Sequence, residues 1–331
     1  DDVIDVDPTC RKLEELTTEI LGKEAALFMP SGTMTNQVGV RIHCKPGDEF
    51  LCEAGCHIYN YEQGAFAQLS GVVARTIEGQ AGVLTVEQLR GTIRPENDHL
   101  VRTRLVCLEN THNRAGGKVQ PYDDVVAICD WAHEAGLRTH LDGARLWNAT
   151  AASGISEAEW SKHFDTVSVC FSKGLGAPVG SALAGTKDAI KEARRHRKLF
   201  GGAMRQDGII AAGALYALQH NRQRLVEDHV NAKHLAEAVR ESAGLSLLYG
   251  DVESNIVIFR VEPQLGSAAE LVAELKTQGL WCLAIGPQQV RLVTHLDVSE
   301  SQCRQAATIL RETASRLASG KKSAKELEPA Y

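Results

Sequence analysis

One lysine of this sequence follows a segment that is typical of a buried strand. Lys173 comes after the β-branched and apolar residues 166–171, and glycines and other small residues follow it as far as residue 180. A lysine at such a strand end, partly removed from water, is a candidate for Schiff-base formation with an aldehyde. The alternative interpretation is an ordinary strand-end lysine whose ammonium group reaches solvent.

An aspartate ends an earlier strand-like segment. Residues 137–141 predict a strand, and Asp142 begins the polar turn Asp-Gly-Ala-Arg at residues 142–145. Pyridoxal phosphate (PLP) enzymes need a lysine for the aldehyde of the cofactor and an acid for its pyridine nitrogen, which makes the ring an electron sink. Asp142 and Lys173 together favour PLP as the cofactor, although an isolated Asp after a strand is more commonly a helix N-cap.

A third segment predicts a phosphate site. Residues 25–29 predict a short apolar strand, and Pro-Ser-Gly-Thr follows at residues 30–33 before a helical pattern. Small residues at a strand-to-helix turn direct free backbone N–H groups and the positive end of the helix dipole at an anion. Gly32 and Thr33 are the expected cradle. Taken alone, Ser-Gly-Thr also caps many helices that bind nothing.

Several motifs together resemble the L-threonine aldolase family of fold type I PLP-dependent enzymes. The similarity extends from about residue 1 to about residue 297, and it is carried by Pro-Ser-Gly-Thr-Met-Thr-Asn at 30–36, Glu-Asn-Thr-His-Asn at 109–113, Leu-Asp-Gly-Ala-Arg at 141–145, Phe-Ser-Lys-Gly-Leu-Gly-Ala-Pro-Val-Gly at 171–180 and Met-Arg-Gln at 204–206. The resemblance implies an α/β fold, with a large domain built on a mostly parallel mixed sheet covered by helices and a smaller C-terminal α+β domain.

The resemblance also implies roles for the cofactor ligands. Lys173 would form the Schiff base with PLP, Asp142 would pair with the pyridine nitrogen, and Ser172 would join Gly32 and Thr33 in binding the phosphate.

Further residues would complete the site. His57 would stack on the cofactor ring, and Glu62 would hold a water network or pair with an arginine. Arg145 would lie near the cofactor and the substrate, and Arg205 is expected to reach the pocket of a neighbouring subunit.

The activity implied by the resemblance is cleavage of L-threonine or L-allo-threonine to glycine and acetaldehyde. Arg291 would bind the α-carboxylate, and His112 would take the β-hydroxyl proton directly or through water. The alternatives are β-elimination, cleavage of a bulkier substrate such as phenylserine or 3-hydroxyaspartate, or a non-catalytic binding homologue. The intact Lys173 argues against the last of these.

Hydrophobic periodicity predicts the order of the elements. Strands and helices alternate over the first part of the chain, which favours a mostly parallel sheet. We predict a large PLP-binding domain over 1–225, a small domain over 226–318 and a polar tail over 319–331. Single helices are expected near residues 59–69 and over 208–235. Members of the family usually begin some two dozen residues earlier, so an N-terminal segment is expected to be missing here.

The composition restricts the remaining possibilities. A net charge of −6 argues against nucleic acid as the main partner, and no apolar run is long enough to span a membrane. The nine cysteines include no Cys-x-x-Cys pair, which favours reduced thiols and a cytoplasmic protein. A zinc site at Cys52, Cys56 and His57 lacks a second ligand pair, so no metal is predicted. A homo-oligomer, namely a tetramer formed as a dimer of dimers, is expected.

Overall fold

The computed structural model of this chain describes residues 1–319, and it divides into two compact units. The first unit is Asp1–Val226, and the second begins at Glu227. Apart from residue 319, the predicted polar tail lies outside the described residues. Within the described part of the chain, no helix is both long enough and apolar enough to cross a membrane.

A mixed sheet forms the centre of the first unit. Its strands lie in the order β1-β7-β6-β5-β4-β2-β3, and their bounds are β1 (Ala25–Met29), β2 (Asp48–Glu53), β3 (Val73–Ile77), β4 (Arg102–Glu109), β5 (Arg138–Gly143), β6 (Thr166–Cys170) and β7 (Ser181–Gly185). The pairs β2–β3, β2–β4, β4–β5 and β5–β6 are parallel, whereas β7 is antiparallel to both β1 and β6. The carboxyl ends of β1, β2, β4, β5 and β6 therefore share one edge.

Helices alternate with these strands along the chain. Their bounds are α1 (Pro8–Leu21), α2 (Gly32–His43), α3 (His57–Asn60), α4 (Ala65–Ser70), α5 (Val86–Leu89), α6 (Tyr122–Glu134), α7 (Leu146–Ser153), α8 (Glu157–Ser161), α9 (Lys187–Leu199), α10 (Gly208–His220) and α11 (Leu225–Glu241), the last of which begins just before the second unit. Helix α1 shows the local signals well: Asp7 caps its first turn and Gly22, at φ 62°, ends it.

Two of the predicted helices are interrupted. The segment 59–69 forms α3 and α4, because Gln63 and Gly64 both adopt positive φ and break the helical path. The segment 208–235 forms α10 and part of α11. The break contains Asn221, whose side chain donates to the Leu175 carbonyl, and Arg222, whose guanidinium donates to Glu157. In this second case contacts with other parts of the unit replace the continued helix that periodicity favours.

The second unit contains an antiparallel sheet. Its strands lie in the order β10-β11-β9-β8, and its elements are β8 (Leu245–Leu247), β9 (Ile256–Val261), a 3₁₀ turn (Pro263–Leu265), α12 (Ala268–Thr277), β10 (Leu283–Gly286), β11 (Gln289–Val293) and α13 (Glu300–Ala318). Phe259, Leu271 and Leu310 are buried in its core.

The loop after β6 is closed by one glycine. The Gly180 carbonyl accepts from the N–H groups of both Phe171 and Ser172, so it holds the loop that carries Lys173. Gly180 has φ 113°, and a Cβ on it would lie 2.4 Å from Cε2 of Phe28. This position therefore requires glycine for both its backbone conformation and its close approach to a buried ring.

We expect Gly180→Ala to destabilise the first unit far more than Gly136→Ala, the matched control. Gly136 also has positive φ, at 73°, but a Cβ there meets nothing within 4 Å. The control should lose about 1–2 kcal/mol for the left-handed conformation alone. Gly180→Ala should lose roughly a further 1–3 kcal/mol by overpacking against Phe28. Urea unfolding measures the free energy of unfolding of both variants. Equal losses would show that the Phe28 ring moves aside at no cost in stability.

Candidate active site

The residues predicted to do chemistry lie at the shared edge of the sheet. His57 begins α3 just after β2, and His112 follows β4 by three residues. Asp142 lies near the end of β5, and Lys173 follows β6 in the loop closed by Gly180. Open α/β sheets bind ligands at the carboxyl ends of their strands, so this edge is the expected location of a site.

Asp142 and Glu62 are two buried carboxylates bridged by an amide. The Nδ2 atom of Asn36, on α2, donates to Oδ2 of Asp142 at 2.8 Å and to Oε1 of Glu62 at 2.9 Å. Oδ1 of Asp142 accepts from the Ala144 N–H at 3.1 Å. Asp142 is not a helix N-cap, since Arg145 occupies that position before α7. Asn36 was not predicted as a site residue, although it ends one of the motifs on which the resemblance rests.

His57 is held on the same carboxylate. Its Nδ1 atom lies 2.9 Å from Oε1 of Glu62, and this hydrogen bond raises the pKa of His57 against the opposing effect of burial. The backbone N–H of His57 donates to Oε2 of Glu109 at 2.7 Å, which fixes the start of α3. Glu62 thus orients a histidine.

His112 is buried and paired with a residue that sequence reasoning missed. Its Nε2 atom lies 2.8 Å from Oε2 of Glu53, and only 1% of His112 is exposed. Burial alone would lower the pKa of His112, but the charges of Glu109 and Glu53 outweigh it and raise this pKa. Its Nδ1 atom is buried without a partner among the described residues. The signal for Glu53 was a carboxylate at the end of a buried strand.

Arg145 lies close to several of these acids. Burial lowers the pKa of its guanidinium, while the charges of Glu109, Cys170 and Asp142 oppose that effect. Glu109 is the second acid that sequence reasoning did not single out, and its Oε1 atom accepts from the Asn113 N–H at 2.8 Å.

The N-terminus of α2 can hold an anion. The first N–H groups of a helix have no partner within the helix, and here they belong to Gly32 and Thr33. A Cβ on Gly32 would lie 2.8 Å from Sγ of Cys170, so glycine alone lets this turn approach the end of β6. Ser172 and Thr33 are exposed and Lys173 is partly exposed. A cradle for phosphate, an amine and a buried acid are the groups that PLP requires, and the residues present fit this cofactor.

Two further arginines are predicted for the site. Arg205 is exposed, and its Nε atom lies 2.5 Å from Oδ2 of Asp1. Arg291 lies on β11 of the second unit, where it is opposite Leu283 and Ile258.

The cysteines beside His57 are core residues. Cys52 and Cys56 are buried, and their mutual hydrogen bond together with burial raises the pKa of the Cys56 thiol well above its ordinary value. His57, Glu62 and Asp142 do bring one potential metal-ligand atom each within 4.8 Å. In this group the Asn36 amide already donates to both carboxylates.

Comparison with known proteins gives the family. A family model described as beta-eliminating lyase matches residues 1–262. A curated relative, the low-specificity L-threonine aldolase of Escherichia coli strain K12, is 42% identical over 308 residues, which are 93% of this chain and 90% of the relative. The chain belongs to the L-threonine aldolase family. Membership confirms the predicted resemblance, the PLP cofactor and the class of PLP-dependent lyase.

Further proteins named as threonine aldolases are similar to this chain in sequence or in fold. Low-specificity L-threonine aldolase 1 of Arabidopsis thaliana is 38% identical over 96% of this chain and 91% of its own length. The solved structure of Leishmania major threonine aldolase superposes with a TM-score of 0.81 at 23% identity, covering 93% of this chain and 90% of that one. A solved structure of a putative L-allo-threonine aldolase from Listeria monocytogenes gives a TM-score of 0.80 at 22% identity, covering 94% of this chain and 87% of that one. The predicted fold class is confirmed.

We expect Glu53→Gln to lower the pKa of His112, because it removes a charge that favours the imidazolium. The matched control is Glu78→Gln, which neutralises an exposed carboxylate. NMR titration of the His112 ring measures the effect, with His112→Asn to assign the signal. An unchanged pKa in Glu53→Gln would show that the charges of Glu109 and Asp142 maintain the shift without Glu53.

The same substitution should change the pH dependence of stability. The folded pKa of His112 is raised above 6.5, so its stabilising contribution is fully present below the unfolded pKa and is lost as pH rises through the folded value. Between the unfolded and the folded pKa of His112, the free energy of unfolding should therefore decrease less with rising pH in the Glu53→Gln variant than in the unsubstituted protein.

Proposed function

We propose that this chain is an aldolase that cleaves L-threonine and L-allo-threonine to glycine and acetaldehyde. The observation that carries the proposal is the arrangement of Asp142 and Lys173 at strand ends that share an edge with the N-terminus of α2. The names of the relatives at 38–42% identity support the same reaction. When bound, PLP supplies an electron sink for the electron pair released at the α-carbon.

The cofactor-binding residues act by anchoring and by charge. Lys173 provides the amine for covalent attachment, and Gly32, Thr33 and Ser172 bind the phosphate through N–H and hydroxyl groups. Asp142 is the acceptor for the protonated pyridine nitrogen. His57 stacks on the ring, and its hydrogen bond to Glu62 fixes the plane of the imidazole.

His112 is the proposed base for the β-hydroxyl proton. When its Nε2–H donates to Glu53, Nδ1 is an unprotonated nitrogen, and it is also the buried atom without a partner among the described residues. A base must accept a proton and then bear a charge, and Glu53 stabilises that charge at 2.8 Å. His112 takes the proton either directly or through water.

Arginines are proposed for the substrate carboxylate. Arg291 is the proposed two-pronged donor and Arg145 a second cation near the cofactor. Arg205 is proposed to act on a neighbouring subunit's site, where its exposure makes it available.

We further propose a cytoplasmic homotetramer, formed as a dimer of dimers. Leu199, Ile209 and Tyr216 expose 64%, 82% and 62% of their surfaces, which favours an apolar contact between subunits on the first unit. The described cysteines are all free thiols, which supports a reducing compartment.

A second reaction on the same frame is β-elimination, which is favoured by the name of the matching family. A panel of L-threonine, L-allo-threonine, L-phenylserine and L-serine separates the two reactions. Aldol cleavage releases glycine and an aldehyde in equal amounts, whereas β-elimination releases ammonia and a 2-oxo acid. Ammonia without glycine would contradict the proposed function, and a preference for phenylserine would assign a bulkier substrate.

We expect Lys173→Ala to reduce turnover by several orders of magnitude while the protein stays folded. Its cofactor should no longer be retained covalently after borohydride reduction, because the amine is lost. Lys187→Ala, at the start of α9, is the matched control and should retain the cofactor. A reducible adduct that survives in Lys173→Ala would assign the anchor to another lysine.

We expect His112→Asn to impair threonine cleavage much more than exchange of the glycine α-proton. Glycine has no hydroxyl to deprotonate, and a general base contributes about 10²–10⁴-fold. Acetaldehyde release and deuterium uptake into glycine are measured side by side. Equal losses would give His112 a packing role and leave a water held by Glu62 as the base.

A further inference from the structure

A line of polar residues crosses the interface between α2 and the sheet. Asn36, Gly39 and His43 are spaced three and four residues apart, so they share one face of α2. His140 lies two residues before Asp142 on β5, so both point to the same face of the sheet, and Thr166 is its partner on β6. We name Asn36, His140, Thr166 and His43 the polar seam.

Hydrogen bonds connect the polar seam from end to end. Nε2 of His140 lies 3.1 Å from Oδ1 of Asn36, and Nδ1 of His140 lies 2.9 Å from Oγ1 of Thr166. Nε2 of His43 lies 2.9 Å from the same hydroxyl oxygen. Asn36 continues the connection to Asp142 and Glu62.

The two carboxylates determine where each proton lies. Asn36 must present its NH₂ group to Asp142 and Glu62, so its Oδ1 atom faces His140 as an acceptor. Nε2 of His140 must therefore carry a proton. If His140 is neutral, its Nδ1 atom is an acceptor, and the Thr166 hydroxyl donates to it. The Thr166 oxygen then accepts from a protonated Nε2 of His43.

Burial supports the neutral form of both rings. His140 is fully buried, and burial together with the neighbouring His43 lowers its pKa to about 3, against the opposing charge of Asp142. Burial lowers the pKa of His43 to about 4, with Asp165 opposing and Arg138 adding to the decrease. A neutral imidazole has one donor and one acceptor, which is what each contact requires.

Glycine at position 39 makes the close approach possible. A Cβ there would lie 2.6 Å from Cε1 of His140, so a larger residue would displace the ring from Asn36. Gly39 of α2 therefore leaves the space that the His140 ring of β5 occupies.

We infer that the polar seam is a positioning device in which His140, as the Nε2–H tautomer, locks the Asn36 amide and thereby holds Asp142 as an oriented anion toward the cofactor nitrogen. The inference rests on the proposed role of Asp142. None of the four residues reacts with the substrate. Their effect is to deny Asp142 a second orientation, because the Asn36 amide cannot rotate without losing three hydrogen bonds.

The first test is the tautomer of His140 in the full chain. Nitrogen-15 NMR of histidine-labelled protein, recorded with and without PLP, distinguishes a protonated from an unprotonated ring nitrogen. His140→Gln assigns the signals. We expect Nε2 protonated and Nδ1 unprotonated in both samples. A protonated Nδ1 would overturn the inference, whatever reaction the enzyme catalyses.

The second test compares two amide-to-acid substitutions on adjacent residues. Asn36→Asp removes the donor to Asp142, while Gln37→Glu removes only a donor to Glu62. Each adds one carboxylate beside Glu62. The dissociation constant for PLP is measured by absorbance. We expect it to rise roughly tenfold more in the Asn36→Asp variant than in the Gln37→Glu control, because the buried Asp142 carboxylate loses its Asn36 donor. Equal affinities would overturn the positioning role.

A third variant pair tests the Thr166 hydroxyl of the polar seam, which contacts His140 on the side away from Asn36. Thr166→Val removes the hydroxyl that donates to His140, and Thr166→Ser retains it. We expect the Nδ1 signal of His140 to shift in the valine variant and to stay in place in the serine variant. Identical Nδ1 signals in both variants would contradict the inference that the Thr166 hydroxyl donates to His140.

These outcomes separate the inference from the proposed function. If the chain binds PLP but releases ammonia instead of glycine, the proposed aldol cleavage fails while the tautomer and affinity tests stand. If the chain cleaves threonine and His140 carries its proton on Nδ1, the proposed function stands and the inference fails.

Discussion

The structure depends on burying two carboxylates side by side. Asp142 and Glu62 are 3% and 2% exposed, and their ligand atoms lie within 4.8 Å of each other. At an effective dielectric of about 20, this repulsion amounts to about 3 kcal/mol, before the cost of removing each charge from water. Donors must offset both costs, and Asn36, Gln37, His57 and the Ala144 N–H provide them. Because two of these donors are on α2, the position of that helix against β5 follows from the electrostatics of the pair.

The sheet topology makes this arrangement possible. Parallel strands end at one edge, so turns that are far apart in sequence deliver Glu62, Asp142 and Lys173 to the same region. The antiparallel β7 closes the loop that carries Lys173, since Gly180 immediately precedes it. The positions of the proposed anchoring amine, acid and phosphate cradle are thus consequences of strand order.

Sequence reasoning predicted the elements that local patterns specify. Residues 166–171 located β6 and residues 137–141 located β5, so the positions of Lys173 and Asp142 at strand ends followed. It did not predict Asn36, Glu53 or Glu109 as site residues, because a polar residue in a helix or at a strand end has the same local signature whether it faces solvent or another strand. It also joined α10 to α11, since the contacts of Asn221 and Arg222 with distant residues leave no periodic signal. Long-range pairing is the information that one sequence read locally does not contain.

Helix α2 carries the proposed phosphate cradle at its first turn and donors to Asp142 and Glu62 further along, which restricts how it can change over evolutionary time. Consecutive residues of a helix are rotated by about 100°. Inserting or deleting one residue between Thr33 and Asn36 would turn Asn36, Gly39 and His43 away from the sheet together, while Gly32 and Thr33 stayed in place. Residues 35–40 of α2 are all buried, so its residue types are restricted as well as its length. A designed library of this enzyme should therefore leave α2 unchanged and place its insertions in the turn that follows His43.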